Sequence, residues 1–259
     1  FPVDFAFNRA RAVTEDWVTG ARLIGTDYIR TNTTNAAATD NNMLWDSNTG
    51  YTKGYASASN AWMWKRGQGF DTVAYAGNDG SGSSIQEVPH SLSKTPEMIW
   101  VKCRSDAKDW KVYHKGLNGG TNPEQYHLVL QSNAAEVDSI NIWNDTAPTS
   151  THFTLFNNGD VNDTGKDYIA FLFASANDAD GNPISKVGYY SGSSSSVTVT
   201  TGFQPRFVLI KRATGVGQWT TFDTTRGWAA GNEQMLELSD DAAQTNSFDY
   251  GEPTATGFT

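Results

Sequence analysis

Two groups of aromatic and polar residues in this sequence have the chemistry of a sugar site. Sugars are bound by exposed aromatic faces together with nearby amide and carboxylate groups that form hydrogen bonds. Trp143 with Asn144 and Asp145 has this composition, and so has Trp228 with Asn232. The alternative is that both tryptophans pack a core, as aromatic residues beside alternating strands commonly do.

A third group has the alternating oxygen ligands of a calcium loop. Asp178, Asp180 and Asn182 stand at every second position, and Gly181 allows the chain to turn between them. The bidentate glutamate that closes helical calcium loops is missing here. The sequence therefore leaves two alternatives, a Ca²⁺ site and the polar tip of a hairpin, and it suggests no other cofactor.

Catalysis is not predicted by any motif in the sequence. None of the histidines has the spacing of a metal-ligand or protease motif; they are His90, His114, His127 and His152. Nucleophile elbows, phosphate-binding loops and dinucleotide fingerprints do not occur. A glycan-cleaving enzyme needs two carboxylates roughly 5–10 Å apart in one cleft, and no motif points to such a pair. The protein is therefore predicted not to be an enzyme.

Composition limits the classes of partner. The 259 residues carry a net charge of −9, without a basic stripe that could neutralise phosphates. Nucleic acid and anionic membranes are therefore not expected as partners. No apolar stretch approaches the roughly 20 residues that span a bilayer. The single cysteine, Cys103, excludes a disulfide framework.

The elements that must position these residues recur along the chain. Residues 96–102 return as residues 205–211, and a tryptophan follows fourteen residues after each initial proline. Residues 126–135 return as residues 234–243. In a weaker copy at the start of the chain, Pro2 corresponds to Pro96 and Asn8 replaces Lys102. Arrays of this kind are more typical of binding and structural proteins than of enzymes, because catalysis needs only one asymmetric site.

The copies also distinguish two kinds of tryptophan. Trp17, Trp110 and Trp219 recur in register, which indicates shared packing. Trp143 has no counterpart in the third copy, and Trp228 has none in the second. These two are therefore the better candidates for contacts with a ligand.

Strand patterns dominate the sequence, and no segment sustains helical spacing over three turns. Residues 98–101, 169–173 and 207–210 are short apolar runs, typical of strands buried on both faces. Strands recur about every 8–14 residues, the spacing of sandwiches and barrels. We predict an all-β protein of tandem antiparallel β-sandwich repeats. The alternative is a set of β-propeller-like repeats, although propeller blades are usually nearer 45 residues.

Three segments are predicted from the positions of the copies. Residues 1–65 form a partial first repeat, and residues 66–175 form a second repeat folded as a β-sandwich. Residues 176–259 form a third repeat that is truncated at the C-terminus. The sequence is therefore expected to be a piece of a longer repetitive protein.

Several of these motifs, taken in order, resemble a known family. They are residues 96–102, 112–116, 126–130 and 143–150, and then residues 202–211, Trp219 and residues 223–226. The chain resembles the repeated β-rich domain found in tail-fibre and virion structural proteins of marine and cyanobacterial bacteriophages. The resemblance covers essentially the whole chain, and the first copy departs most, because Asn8 stands where the family pattern has lysine.

The resemblance implies a jelly-roll or concanavalin-like sandwich and an extracellular virion appendage, a tail-fibre or spike segment that attaches to the host surface. Its implied partners are a host-surface glycan or protein, other virion proteins, and further copies of the chain in a homotrimer. The resemblance carries no catalytic residues. The alternative function is that of a secreted bacterial lectin or adhesin, which need not be trimeric.

Overall fold

Strands and turns make up almost all of the structure, a computed structural model that describes residues 1–53, 59–79 and 84–259. The described strands pair antiparallel throughout, which confirms the predicted all-β fold. They close neither a barrel nor a propeller. In these ranges the one α-helix is α1 (Ile140–Trp143), and 3-10 turns occupy Arg22–Ile24, Leu117–Gly120, Pro123–Gln125 and Thr224–Arg226. None of these helices is long and apolar enough to cross a membrane.

The described residues of the first segment contain one five-stranded sheet. Its strands are β1 (Phe5–Ala10), β2 (Val18–Ala21), β3 (Asp27–Arg30), β4 (Ala38–Thr39) and β5 (Ser59–Trp64), in the spatial order β4-β3-β2-β1-β5. Strand β1, which lies between β2 and β5, is buried along its whole length. Alternate residues of β1 therefore face two different apolar surroundings, with Phe5 and Phe7 on one side and Ala6 on the other.

The second segment contains two sheets that pack on each other. Its strands are β6 (Phe70–Ala76), β7 (Gln86–Pro89), β8 (Met98–Cys103), β9 (Lys111–His114), β10 (Tyr126–Val129), β11 (Val137–Asp138), β12 (His152–Leu155) and β13 (Asp167–Phe173). Six of them form a sheet in the order β11-β10-β9-β8-β13-β6, and β12 pairs with β7. Side chains of β7, β12 and α1 cover the outer face of the large sheet. The run at residues 169–173 is buried on both faces, as predicted.

The third segment consists of shorter strands in three small sheets. Its strands are β14 (Ala176–Asn177), β15 (Pro183–Ser185), β16 (Val199–Thr200), β17 (Phe207–Ile210), β18 (Thr220–Asp223), β19 (Leu236–Glu237), β20 (Pro253–Thr254) and β21 (Gly257–Phe258). They pair as β14-β15, β16-β21-β20 and β17-β18-β19. The sheet β17-β18-β19 corresponds to β8-β9-β10 of the second segment and to β1-β2-β3 of the first.

One hydrophobic cluster lies between these three corresponding sheets. Phe5 of β1, Phe171 of β13 and Leu236 of β19 all belong to it. The rings of Phe5 and Phe171 lie 4.4 Å apart between centroids. Each described sheet takes its strands from a single one of the ranges 1–65, 66–175 and 176–259, whereas this cluster takes side chains from all three. The segments are therefore joined by packing and by hydrogen bonds of side chains and loops, and the described strands do not pair between them.

The three repeated tryptophans close a ring of hydrogen bonds around this cluster, and all three are at most 3% exposed. Each indole Nε1 donates to the carbonyl of the last residue in the third strand of a neighbouring segment: Trp17 to Glu237 at 2.8 Å, Trp110 to Arg30 at 2.8 Å and Trp219 to Val129 at 3.1 Å. The first segment thus contacts the third, the third contacts the second, and the second contacts the first. Their recurrence in the sequence reflects this shared packing.

The surroundings of each tryptophan are also repeated, although the residue types differ. The backbone N–H of each tryptophan donates to a side chain two residues beyond the third strand of its own segment. This side chain also forms a hydrogen bond with the side chain of the residue before the tryptophan. The three acceptors are Asn32 and Gln131 at 3.0 Å and Ser239 at 3.1 Å. They contact Asp16, Asp109 and Gln218 respectively. The geometry is kept while the side chains change, which explains why the copies have diverged so far in sequence.

The first copy keeps a cation that the sequence comparison misses. Asn8 pairs with Val18, and Val101 pairs with Lys111, so Asn8 corresponds to Val101. The prediction that Asn8 replaces Lys102 is therefore wrong, because Arg9 occupies that position. One more residue separates Pro2 from β1 than separates Pro96 from β8, and this shifts the alignment by one.

Arg9 and its two lysine counterparts bind backbone carbonyls of a neighbouring segment. The guanidinium of Arg9 donates to the carbonyls of residues 240–242. The ammonium of Lys102 donates to the carbonyl of Thr34 at 3.0 Å, and that of Lys211 donates to Ala134 at 2.8 Å. Each cation thus holds the loop that follows the third strand of its neighbour, beside the tryptophan contact.

Candidate functional site

The sheet β17-β18-β19 has an outer face that points away from the shared cluster, and this face is partly open. The corresponding face of the second segment is covered by β7, β12 and α1. In the second segment Ile99 and Val101 of β8 are fully buried. Their counterparts Val208 and Ile210 on β17 are only half-buried. All four residues of β17 are half-buried, so the prediction that residues 207–210 are buried on both faces is wrong. A cleft of about 630 Å³ lies there, bordered by Ile210.

Aromatic rings form the floor and the mouth of this cleft. Phe222 lies 6.0 Å from Trp228 and 5.7 Å from Tyr250, measured between ring centroids. Phe258 lies 6.1 Å from Trp228 and 6.3 Å from Tyr190. Phe222, Trp228 and Phe258 are buried, whereas Tyr250 and Tyr190 are 52% and 45% exposed. Two half-exposed rings therefore stand at the mouth of the cleft.

The polar groups of the cleft are carboxylates and hydroxyls. Asp249 and Glu252 line it together with serines 193, 195 and 196. The part of the chain that the structure describes contributes no lysine, arginine or histidine to the lining. The volume lies within the roughly 300–1,000 Å³ range of small-ligand sites. Aromatic faces beside hydrogen-bond acceptors are what a sugar ring requires.

A short turn brings Trp228 under the sheet. Asp223 ends β18, and its carboxylate accepts the N–H of Arg226 at 2.9 Å, which caps the 3-10 turn Thr224–Arg226. Gly227 ends the turn with φ 106°, a conformation that favours glycine. The indole Nε1 of Trp228 then donates to the carbonyl of Gly251 at 2.9 Å. This bond ties the floor of the cleft to the loop that carries Tyr250.

A buried carboxylate holds the loop of Tyr250 from the other side. Glu233 is buried, and its Oε2 accepts the N–H of Tyr250 at 2.6 Å. The N–H of Glu233 donates to the carbonyl of Phe248 at 3.3 Å. Because both bonds join the same two stretches of chain, the exposed ring of Tyr250 is carried on a fixed backbone.

The second predicted sugar group lies partly in this cleft. Trp228 lines it, but its side chain is 3% exposed, so it forms the floor and supports the exposed rings. Asn232 is exposed and does not border the cleft. Of the two predicted residues, the structure places only Trp228 at the cleft.

The first predicted sugar group lies elsewhere, and its tryptophan has no free face. Trp143 is 2% exposed, packs against Tyr113, and donates from Nε1 to the carbonyl of Tyr126 at 3.1 Å. Its prediction as a sugar contact is corrected, because both faces of the ring are used in the core of the second segment. Asn144 and Asp145 follow it on a turn, in left-handed conformations at φ 53° and 46°.

The predicted calcium residues form the turn between β14 and β15. The carboxylate of Asp178 accepts the backbone N–H groups of Asp180 at 2.9 Å and Asn182 at 2.8 Å. Hydrogen bonds from the side-chain amide and the backbone of Asn182 hold the pKa of Asp178 below its usual value. Within the described ranges no group of three or more histidine, cysteine, aspartate or glutamate side chains could hold a metal ion. Calcium at this turn stays a prediction.

Two histidines outside the cleft are neutral, and of these His127 is buried and His114 is half-buried. The Nδ1 atom of His114 accepts the N–H of Gly116 at 2.9 Å, which requires that nitrogen to be unprotonated. Burial lowers the pKa of His114 to about 4. Burial, together with the nearby charge of Lys111, lowers the pKa of His127 to about 4 as well. Protonation of either histidine is therefore unfavourable in the folded protein.

We expect the free energy of unfolding to fall as the pH is lowered from about 6.5 to 4. In this range His114 and His127 are neutral in the folded protein, whereas in the unfolded chain they bind protons near pH 6.5. Because the unfolded state then binds more protons, acid favours it, by at most about 3 kcal/mol for each histidine. Urea denaturation at pH 7 and at pH 4.5 measures the loss.

Single variants separate the contributions of the two side chains. His114→Gln and His127→Gln should each reduce the pH dependence of the free energy of unfolding. If the double variant of His114 and His127 loses as much stability in acid as the wild type, carboxylates and not these histidines are responsible.

Sequence reasoning missed most residues of the cleft, among them Tyr190, Phe222, Asp249, Tyr250, Glu252 and Phe258. One signal was available in the repeat. Tyr250 stands at the position of Ile142, which is buried in the second segment. A tyrosine that replaces a core isoleucine in a later copy indicates that the position has become exposed.

The fold and the cleft together define a class, an all-β protein built from three corresponding sheets around one core, with an aromatic cleft on one of them. A family model described as Domain of unknown function (DUF7483) matches residues 3–258, and the chain belongs to this family. No curated protein and no solved structure matched the chain.

Proposed function

We propose that this protein is a non-enzymatic attachment module that binds a glycan of a host surface in the cleft of its third segment. One observation carries the proposal: the exposed rings of Tyr250 and Tyr190 stand at the mouth of a cleft whose floor contains Trp228. Exposed aromatic groups gathered around a concave surface are typical of ligand sites.

The lining supplies both parts of sugar recognition. A pyranose ring has an apolar face of C–H groups that can stack on Tyr250 or Tyr190, and such stacking removes apolar area from water. Its hydroxyl groups can donate to the carboxylates of Asp249 and Glu252, and hydrogen bonds to a charged acceptor are stronger than neutral ones. The tyrosines would supply most of the affinity and the carboxylates would fix the orientation.

The proposed setting is a tail fibre or spike of a bacteriophage, outside the host cell and in contact with other virion proteins. The sequence resemblance supports this setting, and the acidic, strand-rich chain is compatible with it. In this setting we expect a homotrimer. A secreted bacterial lectin or adhesin would use the same cleft without needing a trimer, so light scattering of the purified protein separates the two alternatives.

The variant Tyr250→Ala should bind the preferred glycan at least about tenfold more weakly than the wild type, since aromatic side chains at the centre of a contact commonly contribute 1.4 kcal/mol or more. Its melting temperature should stay within about 2 °C, because the side chain is half-exposed and surface substitutions cost little. A glycan array identifies the ligand, and calorimetric titration with that glycan measures the loss.

Tyr189→Ala is the matched control. Tyr189 is 58% exposed, but its ring lies against Gly116 and Gly120 and does not line the cleft. This variant should bind the glycan as the wild type does. Equal losses in the two variants would place the binding surface elsewhere, and an array without any bound glycan would overturn the proposed function.

A further inference from the structure

We infer that the cleft selects neutral or amino-bearing sugars and rejects sugars that carry carboxylate or sulfate groups. This inference rests on the proposed function and names the class of ligand that the same cleft would take. It follows from the sign and the position of the charges around the cleft.

The charged side chains that line the cleft are all of one sign. Asp249 and Glu252 border it, and the described residues place no lysine, arginine or histidine in its lining. Proteins recognise carboxylate and sulfate groups with arginine, lysine or rows of backbone N–H groups. An acidic sugar in this cleft would meet carboxylates where it needs donors.

The two carboxylates flank the ring that we propose as the main stacking surface. Asp249 directly precedes Tyr250 and Glu252 follows it by two residues, and all three side chains are exposed. A sugar stacked on Tyr250 would thus lie beside both carboxylates. A protonated amino group on that sugar could form a charge-assisted hydrogen bond to either of them.

The net charge of the chain also disfavours binding of acidic sugars. The net charge is −9, which lowers the local concentration of anions around the protein. At physiological ionic strength exposed charges are screened beyond about 8 Å. The contribution of the whole chain is therefore weak in salt, whereas that of Asp249 and Glu252, at the cleft itself, persists.

The experiment is a glycan array that carries neutral, amino, carboxylated and sulfated sugars, probed at 20 mM and at 150 mM salt. The best-bound glycans should be neutral or amino-bearing. Titration with the best neutral glycan and with its carboxylated counterpart on the same backbone should give at least a tenfold weaker affinity for the carboxylated form. Carboxylated or sulfated glycans among the best-bound ones would overturn this inference while leaving glycan binding intact.

The variant Asp249→Asn/Glu252→Gln tests whether these two side chains cause the selection. Amide carbonyls still accept hydrogen bonds from hydroxyl groups, but without the gain that a charged acceptor gives, so affinity for the neutral glycan should fall. The carboxylated glycan should bind at least fivefold more tightly than it binds the wild type. Unchanged rejection of the carboxylated glycan in this variant would overturn the inference.

A second variant separates local charge from net charge. Asp138→Asn/Asp145→Asn also removes two negative charges, but from exposed positions of the second segment, away from the cleft. It should reject the carboxylated glycan as strongly as the wild type does. If this variant gains as much affinity as the cleft variant, net charge and not the cleft is responsible, and the inference fails. An array on which no sugar binds would overturn the proposed function together with this inference.

Discussion

Replacing Trp110 with alanine should lower the free energy of unfolding by about 3–5 kcal/mol, the usual cost of removing a large aromatic side chain from a core. The ring is fully buried and lies 6.2 Å from the ring of Phe171 between centroids. Its Nε1 donates to the carbonyl of Arg30 at 2.8 Å. The variant therefore loses packing in the shared cluster and one of the three indole hydrogen bonds between segments. Urea denaturation followed by tryptophan fluorescence or circular dichroism measures the change.

Two further variants show where this loss comes from. Trp110→Phe keeps most of the ring but removes the N–H donor, and it should cost about 1–3 kcal/mol, the cost of leaving a buried carbonyl unpaired. Trp219→Ala removes the corresponding ring of the third segment and should cost about as much as Trp110→Ala. A loss below about 1 kcal/mol for Trp110→Ala would contradict its position in the core.

Replacing Arg226 with methionine should destabilise the protein by about 3–5 kcal/mol, because it leaves a buried carboxylate without its partner. The side chain of Arg226 is fully buried, and its Nε atom donates to Oδ2 of Asp223. Its guanidinium also donates to the carbonyl of Thr221 at 3.0 Å and lies 5.3 Å from the ring of Trp62. Arg226 thus links the turn below the cleft to the first segment.

Arg11→Met is the control for this prediction. Arg11 is exposed, and its replacement should change stability by less than about 0.5 kcal/mol. The double variant Arg226→Met/Asp223→Asn should be less destabilised than the sum of the two single variants, because the buried charge is then removed from both sides. Additive losses would show that the pair does not interact in the folded protein.

The strands were predictable because their signals are local. The apolar runs at residues 98–101, 169–173 and 207–210 fall in β8, β13 and β17. A strand that is covered on both faces needs consecutive apolar residues, and this requirement is visible in any short window of sequence. The repeated tryptophans were predictable for the same reason, since a side chain that fills the same space in each copy must stay at the same position.

The cleft was not predictable, because burial of a given tryptophan depends on what covers it. Trp143 and Trp228 both stand beside polar residues, and both lacked a counterpart in another copy. In the second segment β7, β12 and α1 close the outer face of the sheet over Trp143. In the third segment the same face is left partly open, and the exposed ring is Tyr250, at the position that the buried Ile142 takes in the second segment.

By itself the sequence determined the all-β class, the order of the corresponding strands and the three repeated tryptophans, because each depends on residues close together in the chain. The tertiary structure alone decided that the segments share one core, that Arg9 takes the place of a lysine, and that a cleft opens on the third segment. These features depend on contacts between distant residues, such as Trp17 with Glu237. Such contacts leave no periodic pattern in the sequence, since many different side chains can satisfy the same geometry.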